Sequence, residues 1–130
     1  MPLLQVDTSA ELTAREKREF ADAVRDHYSE EMLTGTGHVA VVVRPREPSE
    51  LSIGRETADG RYLFLDADVR RGRSAERKRA FALAVMDEAS ERFGVPEPNM
   101  KVVFTEHAGE SMMGYDRVGS EWGADEGETE

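Results

Sequence analysis

Residues 61–81 read RYLFLDADVRRGRSAERKRAF, and the apolar period changes in the middle of the stretch. Leu63, Leu65, Ala67 and Val69 alternate with Phe64, Asp66 and Asp68, the two-residue period of a strand with one apolar face. Arg70, Arg71, Gly72 and Arg73 make a turn, and Ser74 is placed to cap a helix that runs to Phe93, where Gly94 and Pro96 end it. KVVFTE, 101–106, then reads as a second strand. A strand, a helix and a strand in this order form a β-α-β unit, because the helix carries the chain back to start a parallel strand.

The preceding half has the same plan. PLLQVDT, 2–8, sets Leu4 and Val6 against Gln5 and Asp7, as a strand does. Thr13 to Glu16 has the form of a capping box, and Phe20, Val24, Tyr28 and Met32 recur along one helical face. LTGTG, 33–37, stops that helix, and HVAVVVR, 38–44, resumes as a β-branched strand. Residues 45–60, with two prolines and two glycines, read as a loop with a short LSIG strand inside it. The expected fold class is α+β: two consecutive β-α-β repeats, about 2–45 and 61–107, forming a four-stranded sheet with two helices on one face. One domain spans 1–118. The acidic, glycine-rich end, 119–130, is expected to be a disordered tail. The opposite sheet face carries Tyr62, Phe64, Asp66 and Asp68, a mixture that implies pairing with further copies of the chain.

Composition narrows the function classes. The 130-residue chain has no cysteine, which excludes disulfides, thiolate catalysis and cysteine-ligated zinc and suits a reducing cytoplasm. No window is long and apolar enough to span a bilayer, and no leader is evident, so the expected location is cytoplasmic. A net charge of −10 argues against nucleic acid and anionic membranes as partners.

Two features point to chemistry. Proline at position 2 allows removal of Met1, which would leave a secondary amine at the end of a strand. Alpha-amino groups titrate at about 7.7–8.0, and nearby positive charge lowers the value, so Pro2 is a candidate general base. Arg70 and Arg73 sit at a strand end and just before a helix start, where the helix adds its own positive field. Guanidinium groups hold a carboxylate through two parallel hydrogen bonds.

These residues resemble the tautomerase superfamily, whose members begin with a catalytic proline and are built from β-α-β units. The closest likeness is to the cis-3-chloroacrylic acid dehalogenase group. It rests on the doubled length, LTGT at 33–36, R-x-G-R-[ST] at Arg70 to Ser74, and M-x-x-Y-x-R at Met112 to Arg117. The resemblance implies the tautomerase fold, a homotrimer and no cofactor or metal. It also implies Pro2 as catalytic base and acid, Arg70 and Arg73 on the substrate carboxylate, and a substrate-contacting group on the first helix for which His27 and Tyr28 are the candidates. Val103 and Gly114 stand where the dehalogenase has a tyrosine and a water-activating glutamate. The expected function is therefore keto-enol tautomerisation of a small enol or dienol carboxylic acid. Dehalogenation or hydration of a 3-substituted acrylate or propiolate is the second reading, and a non-catalytic trimeric binding protein the third.

Overall fold

The structure, a computed structural model, describes residues 1–55 and 60–124. Two strand-helix-strand units follow one another: β1 (Leu3–Thr8), α1 (Ala14–Met32), β2 (Ala40–Pro45), then β3 (Leu63–Arg70), α2 (Ala75–Phe93), β4 (Met100–His107). A short hairpin of β5 (Met113–Gly114) and β6 (Arg117–Val118) ends the described elements. The four long strands form one sheet in the order β2-β1-β3-β4. β1 runs parallel to β2 and β3 parallel to β4, while β1 and β3 join the two units antiparallel.

Both helices start where capping chemistry provides for it. The Thr13 hydroxyl accepts from the Glu16 amide at 3.1 Å while Glu16 accepts from the Thr13 amide at 2.8 Å, and Ser74 accepts from the Arg77 amide at 3.2 Å. Each stops on a left-handed residue, Leu33 at φ 53° and Gly94 at φ 66°. The apolar faces meet between helices and sheet. Phe20, Val24, Tyr28 and Met32 of α1 and Phe81, Val85 and Ala89 of α2 are fully enclosed against Leu4, Val6, Leu63, Leu65, Ala67 and Val69. Phe20 meets Phe93 and Tyr28 meets Phe81 edge to face, at 5.3 and 5.2 Å between ring centres.

The expected LSIG strand does not form. Pro48–Glu50 makes a 3-10 turn, with Glu50 accepting from the Glu47 amide at 2.9 Å, and residues 51–54 continue without a ladder partner. β2 also begins two residues later than its β-branched run suggests, because Gly37 and His38 belong to the turn that leads out of α1.

The face of the sheet away from the helices is polar at its centre. Arg44 grips Asp7 across β1 and β2 with contacts of 2.9 and 3.2 Å, and Arg46 reaches the same carboxylate at 2.9 Å. The Arg44 hydrogen bond is the main reason the Asp7 carboxyl lies below its ordinary value. Leu3 and Val103 are exposed on this face, 38% and 49%, and Tyr62 lies against Phe64.

Candidate active site at the amino-terminal end of the sheet

Strand register brings the functional candidates to one end of the sheet. Leu3 stands opposite Ala40 on one side and Asp68 on the other, Asp68 is beside Thr105, and Arg70 is beside His107. Continuing β1 two residues back along the same register sets Met1 between His38 and Arg70. Pro2 is buried and its carbonyl accepts from the Ala40 amide at 3.1 Å, so the start of the chain is held in the ladder.

Arg70 and Arg73 are both buried, 6% and 5% exposed. Arg70 donates to the Ser120 carbonyl at 2.8 Å. Arg73 donates from Nε to the Met32 carbonyl at 2.8 Å, and its guanidinium lies 5.5 Å from the Tyr28 ring and 5.0 Å from the Trp122 ring. Trp122 in turn donates to the Leu33 carbonyl at 3.0 Å, at the left-handed end of α1. Arg71 points outward to Glu121 at 3.3 Å, and this bond is the first reason that the Glu121 carboxyl lies below its ordinary value.

Residues 119–122, where the sequence predicts the tail to begin, are thus a strap across the arginine turn. Close backbone contact makes the crossing possible. A Cβ at Gly109 would meet the Ser120 carbonyl at 2.2 Å, and one at Gly119 would meet the Gly109 oxygen at 2.5 Å. Gly72, at φ 123°, turns the chain beneath Trp122. The rest of the expected tail, 125–130, lies outside the described residues.

The two first-helix candidates part company. Tyr28 is fully buried beneath Arg73 and belongs to the floor of this end of the sheet. His27 faces the other helix, with Nε2 3.0 Å from Glu88, whose carboxyl is lowered first by Arg92 and then by His27. The structure therefore does not bring His27 to the amino terminus.

Three further groups stand there. Asp68 holds His107 Nε2 at 2.7 Å on the face away from the helices. Arg117 contacts His38. The β5–β6 hairpin sits over the terminus: a Cβ at Gly114 would lie 2.9 Å from the Met1 methyl carbon and 3.9 Å from Asp116 Oδ1. The sequence held part of each signal. Asp68 falls on the mixed outer face of β3 and Arg117 in a quoted motif, but the partners lie 39 and 79 positions away along the chain. A cavity of about 540 Å³ opens at the opposite end of the sheet, beside Ser9, Gly60 and Phe93, away from these groups.

The family model described as Tautomerase enzyme matches residues 64–120, the segment that holds Arg70, Arg73, Asp68, His107 and the hairpin. The chain has the tautomerase fold, and residues 64–120 match the tautomerase family. Among solved structures it is similar to a member of the cis-3-chloroacrylic acid dehalogenase family, at 20% identity and TM-score 0.83 over 95% of this chain and 87% of that one. It is also similar to the FG41 malonate semialdehyde decarboxylase inhibited by 3-bromopropiolate, at 18% identity and TM-score 0.76 over 88% and 91%. A third is a fused 4-OT symmetric trimer, at 20% identity and TM-score 0.76 over 91% and 94%. No curated protein matches the sequence. At these identities the likeness establishes a shared tautomerase fold, and the chemistry of this chain has to be argued from its own side chains. Among the described residues, no helix is long and apolar enough to cross a membrane, and no group of three acidic or histidine side chains is placed to hold a metal ion.

Proposed function

We propose that this protein is a cofactor-free tautomerase that ketonises a small enol or dienol carboxylic acid at the sheet end built from Pro2, Arg70 and Arg73. The observation that supports it most is the placement of two buried guanidinium groups at the same sheet end as a buried, ladder-held Pro2. Removal of Met1 would free the Pro2 amine. Positive charge near that amine disfavours its protonation. The neutral amine is the form that acts as a base.

In the reaction Pro2 takes the enol hydroxyl proton. The O–H pair becomes the carbonyl π bond, the C=C pair becomes a new C–H bond, and the proton for that bond returns from the ammonium. The arginines hold the carboxylate and stabilise the enolate-like charge between these steps. Arg70 makes its hydrogen bond to a neutral carbonyl, that of Ser120. A substrate carboxylate can displace that carbonyl because a charge-assisted bond is roughly twice as strong as a neutral one. The working form is a homotrimer in the cytoplasm. The partly apolar outer sheet face, with Leu3 and Val103 exposed, suits such assembly.

One observation favours water addition to an acrylate or propiolate as a second reading. Asp116 Oδ1 is 3.9 Å from the point where a side chain at Gly114 would begin, so a carboxylate stands close to a position that itself carries none. Glu106 does not serve this purpose, since it is paired with Lys78 at 3.0 Å.

Intact mass establishes whether Met1 has been removed, and ketonisation of phenylenolpyruvate is followed by ultraviolet absorbance. We expect turnover by the processed protein and a loss of at least about a hundredfold in Pro2→Ala. Equal rates would reject proline catalysis. Halide release from cis-3-chloroacrylate that exceeds enol turnover and is lost in Asp116→Asn would favour the second reading. An intact trimer inactive in both assays would leave a binding protein.

A further inference from the structure

We propose that His107, oriented by Asp68, is a second proton-transferring group of this site, donating to substrate carbon while Pro2 accepts from oxygen. The inference rests on the tautomerase reading and replaces its second step, the return of the proton from Pro2, with donation from a second group.

The geometry carries it. His107 Nε2 is 2.7 Å from Asp68 Oδ1, so the imidazole is anchored, and in the single chain the two side chains are 35% and 26% exposed. Its backbone is fixed as well, because the His107 carbonyl accepts from the Arg71 amide at 2.9 Å. A carboxylate on one ring nitrogen sets the tautomer and leaves the other nitrogen to face outward. Asp68 stands directly opposite Leu3, the residue after Pro2, and His107 is in register with Arg70. Strands lie about 4.8 Å apart, so β4 is about 10 Å from β1. That interval leaves room for a small enol acid between the amine and the imidazole. Arg70, between them, is placed for the carboxylate.

The charged groups facing the imidazole are Asp68 and Arg70 of β3, with Asp66 further along the same face. From the strap, Glu121 engages Arg71 and the Gly109 amide, and α2 lies behind the sheet, its Lys78 tied to Glu106.

In the step proposed, the enol O–H proton goes to the Pro2 nitrogen as the O–H pair forms the carbonyl. The C=C pair takes a proton from the His107 imidazolium. Pro2 ends protonated and His107 neutral, and exchange with water restores both. Activity then needs neutral Pro2, which sets the low-pH limb, and protonated His107, which sets the high-pH limb.

The experiment uses full-length protein shown by mass to lack Met1. His107→Gln should lower kcat for phenylenolpyruvate by about a hundredfold with KM changed less than about threefold, and should abolish the high-pH limb. Asp68→Asn keeps a hydrogen bond but misorients the ring, so it should lower kcat and move that limb while native mass and circular dichroism stay as in wild type. Independently of turnover, the His107 ring resonances in nitrogen-15 spectra of the wild-type protein should shift on titration with phenylpyruvate. Unchanged kcat and pH profile in His107→Gln, or ring resonances that do not move at saturating phenylpyruvate, would overturn the proposal. If wild type fails to ketonise the enol but the resonances move, the tautomerase reading falls and the histidine stands as a ligand contact.

Discussion

Trp122→Ala tests the strap that covers the arginine turn. The indole N–H bond to the Leu33 carbonyl contributes about 1 kcal/mol net. Stacking on Arg73, which is 5% exposed, adds about 1–2 kcal/mol because that cation is largely desolvated. The half-buried ring hides roughly 80 Å² more apolar surface than alanine would, worth about 2 kcal/mol. The stacking and area figures describe overlapping contact, so the expected loss is about 3 kcal/mol. For a chain of this length that corresponds to a fall of about 10 °C in Tm, read by calorimetry. Trp122 is the single tryptophan, so its fluorescence reports docking directly, and iodide should quench it weakly in the native protein and strongly after unfolding. The same substitution releases the Ser120 carbonyl from Arg70, so KM for an enol acid should fall severalfold with kcat unchanged. A Tm change under about 2 °C with strong native quenching would refute the docking. A rise in KM would mean that the strap helps to bind substrate and does not compete with it.

Other expectations follow from specific contacts. Gly109→Ala places a methyl 2.2 Å from the Ser120 backbone, which cannot yield cheaply, so it should undock the strap and reproduce the strong iodide quenching of Trp122. Arg44→Met removes the main cause of the lowered Asp7 carboxyl. A carboxyl lowered in the folded state adds stability that is full above its unfolded value, about pH 4, and is lost as pH falls through the folded value. The variant should therefore lose stability at neutral pH and show a shallower decline on acidification below about pH 4, measured by urea unfolding at several pH values. His27→Ala breaks only the 3.0 Å contact with Glu88 between the helices. It should cost no more than about 1 kcal/mol and leave enol turnover within about twofold, and a large fall in kcat would mean that His27 reaches the substrate in the assembled protein.

Much of this architecture could be read from local pattern. The two-residue period of 63–69 and the four-residue spacing of Phe20, Val24, Tyr28 and Met32 are imposed by strand and helix geometry, and the residues so marked are the buried ones. Thr13 and Ser74 announce helix starts because capping bonds span three residues. LSIG misled because β-branched and apolar character favours extension but supplies no partner strand, and Pro48 took the chain into a turn. The arginines of the turn were legible as a candidate anion anchor.

The sequence by itself determined two strand-helix-strand units, their caps, their apolar faces and the chemistry available at Pro2, Arg70 and Arg73. Only the tertiary structure decided which groups share the amino-terminal end. Register across β1, β3 and β4 sets Leu3, Asp68, Arg70 and His107 together, and the hairpin brings Gly114 against Met1 and Arg117 against His38. It also decided that His27 turns to Glu88 while Trp122 covers Arg73. Periodicity reports the face a residue occupies within its own element. Contacts between residues dozens of positions apart depend on how the elements pair, which no local pattern encodes.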